Sequence, residues 1–204
     1  MALLLSSRSL CFLLSIVILK ISMAPFSATE AFSAPGVVLP VHTLERMEGI
    51  VRQYFQGVND KDPTMIRRCF GESATIRDVC NLQQQPGHTN AAAGVAKTVP
   101  AETLVERCMD FVTAHPDCCV QFYYGPQCGR EAPYWVVAHW YETGTWSGES
   151  CGIPPPPTPA PMAVEGQTRF RVDPDTLTIQ EFVVTRTFTE WEKAFLSRQK
   201  HHHQ

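Results

Sequence analysis

The order of helical and strand periodicity along this chain constrains its fold more than any other feature. Up to Ala114 the apolar residues recur mainly at three- and four-residue steps. From Cys118 to Phe188 they fall in four long runs rich in β-branched and aromatic side chains. Leu44, Met47, Val51, Tyr54, Phe55 and Val58 share one face of a helix expected over Thr43–Val58. Thr43 would be its N-cap, with Glu45 favourable in the first turn. Asp62-Pro63 predicts a second, short helix, an aspartate cap followed by proline at the first helical position, ended by Gly71. Ala74 to Cys80 then alternates, with Ala74, Ile76, Asp78 and Cys80 on one side and Thr75, Arg77 and Val79 on the other. Residues 81–100 are small, polar and rich in breakers, and read as loop. A third helix is expected over Ala101–Ala114, with Leu104, Cys108, Phe111 and Val112 turned inward.

The β-rich part divides into expected strands at Cys118–Tyr124, Tyr134–Trp146, Val164–Val172 and Leu177–Phe188, with Asp173-Pro174-Asp175-Thr176 as a tight turn between the last two. Gly148–Pro161, containing PPPPTPAP, reads as a polyproline-like loop near the mouth of the fold. Trp191–Lys200 closes the chain as a short helix, before a solvated tail containing His201, His202 and His203. Helices leading into long strands predict an α+β fold: a cone-shaped, curved, mostly antiparallel mixed sheet wrapped around helices. Such a cone leaves a concave apolar pocket, a natural site for a small molecule.

Residues 1–31 read as a secretory signal: Arg8, the apolar run LCFLLSIVILKI, then small residues up to Ala31. The run is too short for a comfortable membrane span, so the mature domain is not expected to be membrane-embedded. Glu30-Ala31-Phe32-Ser33-Ala34-Pro35 resembles the Ala-Phe junction of bipartite plastid-targeting leaders of secondary-plastid algae such as diatoms, with residues 32–42 as the transit-like segment. This resemblance implies a plastid protein reached through the secretory pathway; plain secretion is the alternative. The expected domain is 43–196, with 148–161 as an inserted loop and 197–204 as tail. The net charge of −3 is spread along the 204 residues with no basic patch, so nucleic-acid binding has no electrostatic support.

Cys11 lies in the leader, which leaves Cys69, Cys80, Cys108, Cys118, Cys119, Cys128 and Cys151, an odd number with no C-x-x-C pair. His115, Cys118 and Cys119 lack zinc-site spacing, and no metal or organic cofactor is implied.

Function is concentrated between Ile50 and Cys80. Tyr54, on the apolar helix face, and Asp78, on the apolar side of the following strand, would bring a phenol and a carboxylate into one interior. The words V-x-x-Y-x-x-x-x-N-x-x-D, through Tyr54, Asn59 and Asp62, and F-x-x-x-A-T-x-x-D, from Phe70 to Asp78, resemble the nuclear transport factor 2-like superfamily (a cystatin-like α+β barrel), particularly its SnoaL-like and ketosteroid-isomerase-like branches. Tyr54 and Asp78 lie 24 residues apart, the spacing of the catalytic tyrosine and general-base aspartate of bacterial ketosteroid isomerases. The resemblance implies that Asp78 moves a proton while Tyr54 holds the oxyanion. A carboxylate in an apolar cone has a raised pKa and is a stronger base. Those isomerases carry a second, protonated acid where this chain has Thr168, two residues before Phe170, so steroid isomerisation is not expected.

His139 shares parity with Trp135, Val137 and Tyr141 and is a candidate second acid–base group facing the pocket; Glu142, with the parity of Trp140, reads as solvent-facing. Phe55, Ile76, Tyr141, Thr168 and Phe170 complete the expected pocket, while Arg169 and Arg171 alternate outward. The expected function is proton-transfer chemistry (isomerisation, cyclisation or dehydration) on a small apolar carbonyl compound. The alternatives are non-catalytic binding of a pigment, lipid or isoprenoid, and an interaction module that forms a homodimer through its sheet.

Overall fold

The computed structural model describes residues 38–78, 96–129, 134–150 and 153–201. The signal expected at 1–31 and most of the transit-like segment at 32–42 lie outside these residues, as do Cys80 and the greater part of the loop expected at 81–100.

Helix α1 spans Val41–Asp60 and begins two residues before the expected cap Thr43, because the Pro40 carbonyl accepts from the Thr43 and Leu44 N–H groups at 2.9 and 3.2 Å. It buries Met47, Val51, Phe55 and Val58. Its end is a left-handed Lys61 (φ 56°), with Asp62 N–H donating to Gly57 O at 2.9 Å and Lys61 N–H to Val58 O at 3.2 Å. This Schellman arrangement turns the chain straight into α2, Pro63–Arg68. Asp62 caps α2 as its sequence implies, accepting from Thr64 N and Met65 N. The helix ends at Arg68 rather than Gly71, since Arg67 Nη1 donates to the Phe70 and Gly71 carbonyls where strand β1, Phe70–Asp78, has already begun.

Lys97–Pro100 forms a short strand, β2, where a loop was expected; Thr98 Oγ1 lies 2.9 Å from Thr75 Oγ1 on β1. Helix α3 occupies Ala101–Ala114, the range its periodicity predicts. Strands β3 (Cys119–Cys128), β4 (Trp135–Trp146), β5 (Ala160–Asp173) and β6 (Thr178–Arg186) follow. The six strands form one sheet in the order β2-β1-β6-β5-β4-β3, antiparallel except for the parallel β1–β6 pair. The mixed α+β architecture is therefore the expected one.

The last two residues of the proline-rich segment, Ala160 and Pro161, already belong to β5. Before them, Ser150 and Ile153 exchange backbone bonds of 3.0 and 2.9 Å, and Trp191 Nε1 donates to Pro154 O at 2.8 Å. Asp173 Oδ1 caps the turn into β6 by accepting from Asp175 N and Thr176 N. Helix α4, Glu190–His201, opens on a reciprocal capping box. Glu192 accepts from Thr189 N at 2.7 Å, and Glu192 N donates to Thr189 Oγ1 at 3.1 Å. The helix reaches His201, inside the segment expected as tail.

Candidate active site

The concave side of the sheet and helices α1 and α3 enclose a cavity of about 230 Å³. Alternation along β5 turns Met162, Val164, Thr168 and Phe170 toward it, with Gly166 between them. The register sets Ala138 of β4 opposite Thr168, Trp140 opposite Gly166 and Glu142 opposite Val164. Even-numbered residues of β4 therefore face inward. A Cβ on Gly166 would lie 2.5 Å from the Trp140 ring, so this glycine makes room for the indole.

This register corrects the sequence reading of β4. His139 and Tyr141 are not in the cavity: the His139 ring packs at 5.1 Å from Tyr123 on the opposite face, and the Tyr141 hydroxyl donates to Gln121 Oε1 at 2.5 Å there. Glu142, expected in solvent, is 5% exposed and lines the cavity. Both parities of WVVAHWYETGTW carry large apolar or aromatic residues, so hydrophobicity alone leaves the inward face ambiguous.

Tyr54, Phe55, Ile76, Thr168 and Phe170 all line the cavity. Tyr54 meets Phe55, Phe70 and Phe170 edge to face at centroid separations of 5.3–5.8 Å, the arrangement that aromatic quadrupoles favour. Its hydroxyl has the Cys108 thiol as partner, at 3.5 Å. Burial, followed by the neighbouring Cys108, holds its pKa well above the tyrosine range, so it stays a protonated donor. Thr168 Oγ1 accepts from Trp140 Nε1 at 3.0 Å, which leaves the threonine hydroxyl its own hydrogen to give. Asp78 is the last residue of β1, with Val184, a cavity residue, as its register partner; its side chain lies outside the described residues.

Two groups were not recognised as cavity residues from the sequence. Burial pushes the Glu142 carboxyl up to about 7, despite the opposing pull of Arg186 and of the Cys118 thiol, and Glu192 adds a smaller push. Among the described residues its Oε1 has no hydrogen-bond partner. His115, at the C-cap of α3, is fully buried and also lines the cavity. Its Nδ1 lies 2.8 Å from the Phe111 carbonyl, and its Nε2 has no partner among the described residues. Arg186, at the end of β6, reaches Glu192 of α4 in two contacts of 2.7 and 3.1 Å at the cavity wall. Among the described residues no group of three His, Cys, Asp or Glu side chains is placed to hold a metal ion, and no helix is long and apolar enough to cross a membrane.

No protein-family model matches the sequence, and no curated protein matches it. Solved structures do resemble the fold. A protein from Jannaschia sp. CCS1 assigned as a SnoaL-like polyketide cyclase superposes with a TM-score of 0.56 at 16% identity, over 78% of this chain and 96% of that one. A second, from Shewanella denitrificans OS-217, gives 0.55 at 12% identity, over 75% and 98%. IdmH of Streptomyces antibioticus, described as a polyketide cyclase, gives 0.52 at 18% identity, over 75% and 96%. At these identities the likeness is one of architecture: the domain has the SnoaL-like fold of the nuclear transport factor 2-like class.

Proposed function

We propose that this domain is an enzyme that moves protons on a small apolar carbonyl compound, by isomerisation, cyclisation or dehydration. The observation that carries this reading is the Glu142 carboxyl, buried in a mainly apolar cavity, pushed up to about 7, with one oxygen unpartnered among the described residues. A group present in both protonation states near neutrality suits a task that takes a proton and gives it back. The carboxylate takes a proton from the carbon beside the carbonyl, and the electron pair moves onto the carbonyl oxygen. Tyr54 exchanges its weak contact with the Cys108 thiol for a charge-assisted bond to that oxygen, and Thr168 supplies a second donor. Protonated Glu142 then returns the proton to another carbon or to a departing hydroxyl. The assignment of proteins with this fold as polyketide cyclases supports carbonyl chemistry of this kind. Asp78 remains in the proposal as a second carboxyl at the end of β1.

The test is solvent-deuterium uptake at the carbon beside the carbonyl of 1-tetralone, followed by proton NMR. Protein-catalysed exchange should be lost in Glu142→Gln by about a hundredfold or more, the scale of general acid–base catalysis. Equal exchange in the two proteins removes Glu142 from the mechanism, and the same measurement on Asp78→Asn decides whether the second carboxyl takes part.

We further propose, from residues 1–42, delivery to the plastid of a secondary-plastid alga. A fluorescent protein fused to this segment should enter the plastid; secretion of the fusion would reject the proposal.

A further inference from the structure

His115 and Glu142 carry the two buried side-chain polar atoms that have no partner among the described residues, and both line the same cavity. Buried polar atoms in folded proteins are paired with protein, ordered water or a ligand, so each of these two calls for a partner. The two differ in chemistry. The Phe111 carbonyl can only accept, so the 2.8 Å contact requires the His115 proton on Nδ1. On a neutral ring that makes Nε2 a bare acceptor. Burial lowers the ring's pKa and so keeps it neutral at pH 7. The ring is also fixed in place, 4.3 Å from the Phe111 ring and 4.8 Å, edge on, from Trp146. A fixed acceptor in an aromatic wall reads a donor on whatever occupies the cavity.

We infer that His115 is a specificity-determining residue, whose Nε2 accepts a hydrogen bond from a hydroxyl of the cavity's ligand. The site thereby selects hydroxylated carbonyl compounds over their unhydroxylated counterparts. The carbonyl half of this statement rests on the function proposed above; the hydroxyl half rests on His115 alone. At about 230 Å³ the cavity is smaller than the ~300–1,000 Å³ typical of sites for drug-sized ligands, which points to a body of one or two rings. Walls formed by Tyr54, Phe111, Trp140, Trp146, Phe170 and Phe182 suit a flat one.

The experiment measures binding of 1-tetralone and of its 5-, 6- and 7-hydroxy isomers to the purified full chain by calorimetry. At least one hydroxy isomer should bind about tenfold more tightly than the parent ketone, the scale of one well-made hydrogen bond. His115→Phe should erase that advantage, so that the hydroxy isomers bind the variant no more tightly than 1-tetralone binds it. Should that variant fail to fold, nitrogen-15 NMR of the wild-type imidazole serves instead. The Nε2 resonance should move on addition of the preferred hydroxy isomer and stay in place with 1-tetralone. No hydroxy advantage in the wild type, an advantage that survives in His115→Phe, or an unmoved Nε2 resonance each overturns the inference. Deuterium exchange that depends on Glu142 without any hydroxy advantage means that this inference fails alone. A hydroxy advantage tied to His115 without exchange means that the enzymatic reading fails and the hydroxyl-reading site stands.

Discussion

Arg186 and Glu192 are joined by two nitrogen–oxygen contacts, 2.7 and 3.1 Å, which tie the end of β6 to the first turn of α4 at the wall of the cavity. Glu192 is 2% exposed. Burial alone would raise its pKa, but Arg186 and the Thr189 bonds outweigh burial and hold it below the usual carboxylate range. One side chain thus caps a helix, pairs a cation and forms part of the cavity wall.

Removing that carboxylate should be expensive. Glu192→Ala strips the guanidinium of its pair and α4 of its capping box, and should destabilise the domain by about 3 kcal/mol in urea denaturation. Glu190→Ala, whose partner Lys193 is exposed, should leave the midpoint unchanged. The Glu192 contribution is present above the unfolded carboxylate pKa and is lost as the pH falls through the lower folded value.

Glu142 should show the opposite dependence. Its folded pKa, about 7, is above the unfolded value of 4.5, so the native state holds the proton more tightly. Its contribution to stability therefore declines as the pH rises from about 4.5 to about 7, by roughly 3 kcal/mol in all. Glu142→Gln should melt above the wild type at pH 8 and close to it at pH 4; a constant difference across that range would contradict the assignment.

Tyr54→Phe loses only a weak contact with the Cys108 thiol, so its melting temperature should stay near that of the wild type. If the hydroxyl holds the developing oxyanion, exchange activity should fall by about a hundredfold or more. His139→Ala, altered on the far face of the sheet, should keep that activity.

Gly166→Ala should cost about 2 kcal/mol or more, because the added methyl would sit 2.5 Å from the Trp140 ring and 2.8 Å from the Thr185 carbonyl. Gly49→Ala, on α1 with nothing within 4 Å, should stabilise by about 0.5–1 kcal/mol. Thermal denaturation of both variants checks the packing of helix and sheet together.

Local chemistry made much of the fold legible. Asp62-Pro63 started α2 and the periodicity of residues 101–114 set α3, because caps and helical spacing act within a few residues. On β5 one parity is apolar and the other polar, so Thr168 and Phe170 were assigned inward, where they lie. β4 offers no such contrast, and its face is decided only by pairing with β5 across a long proline-rich connection whose register the residues do not dictate. Glu142 was lost with that face. The inward parity of β5 fixes that of β4 only once the register between them is known, which the structure supplies. β2 escaped notice because four residues ending in proline carry no usable alternation. In the sequence His115 stands out only beside Cys118 and Cys119, since its burial comes from Phe111 and Trp146, the latter far along the chain.

The most direct test of a poised carboxyl in this cavity is a carbon-13 NMR titration of the Glu142 side chain, assigned by its absence in Glu142→Gln. The midpoint should fall at about 7. A midpoint near 4.5, the value of an ordinary glutamate, would mean that the carboxyl is solvated and would remove the acid–base group on which the proposed chemistry depends.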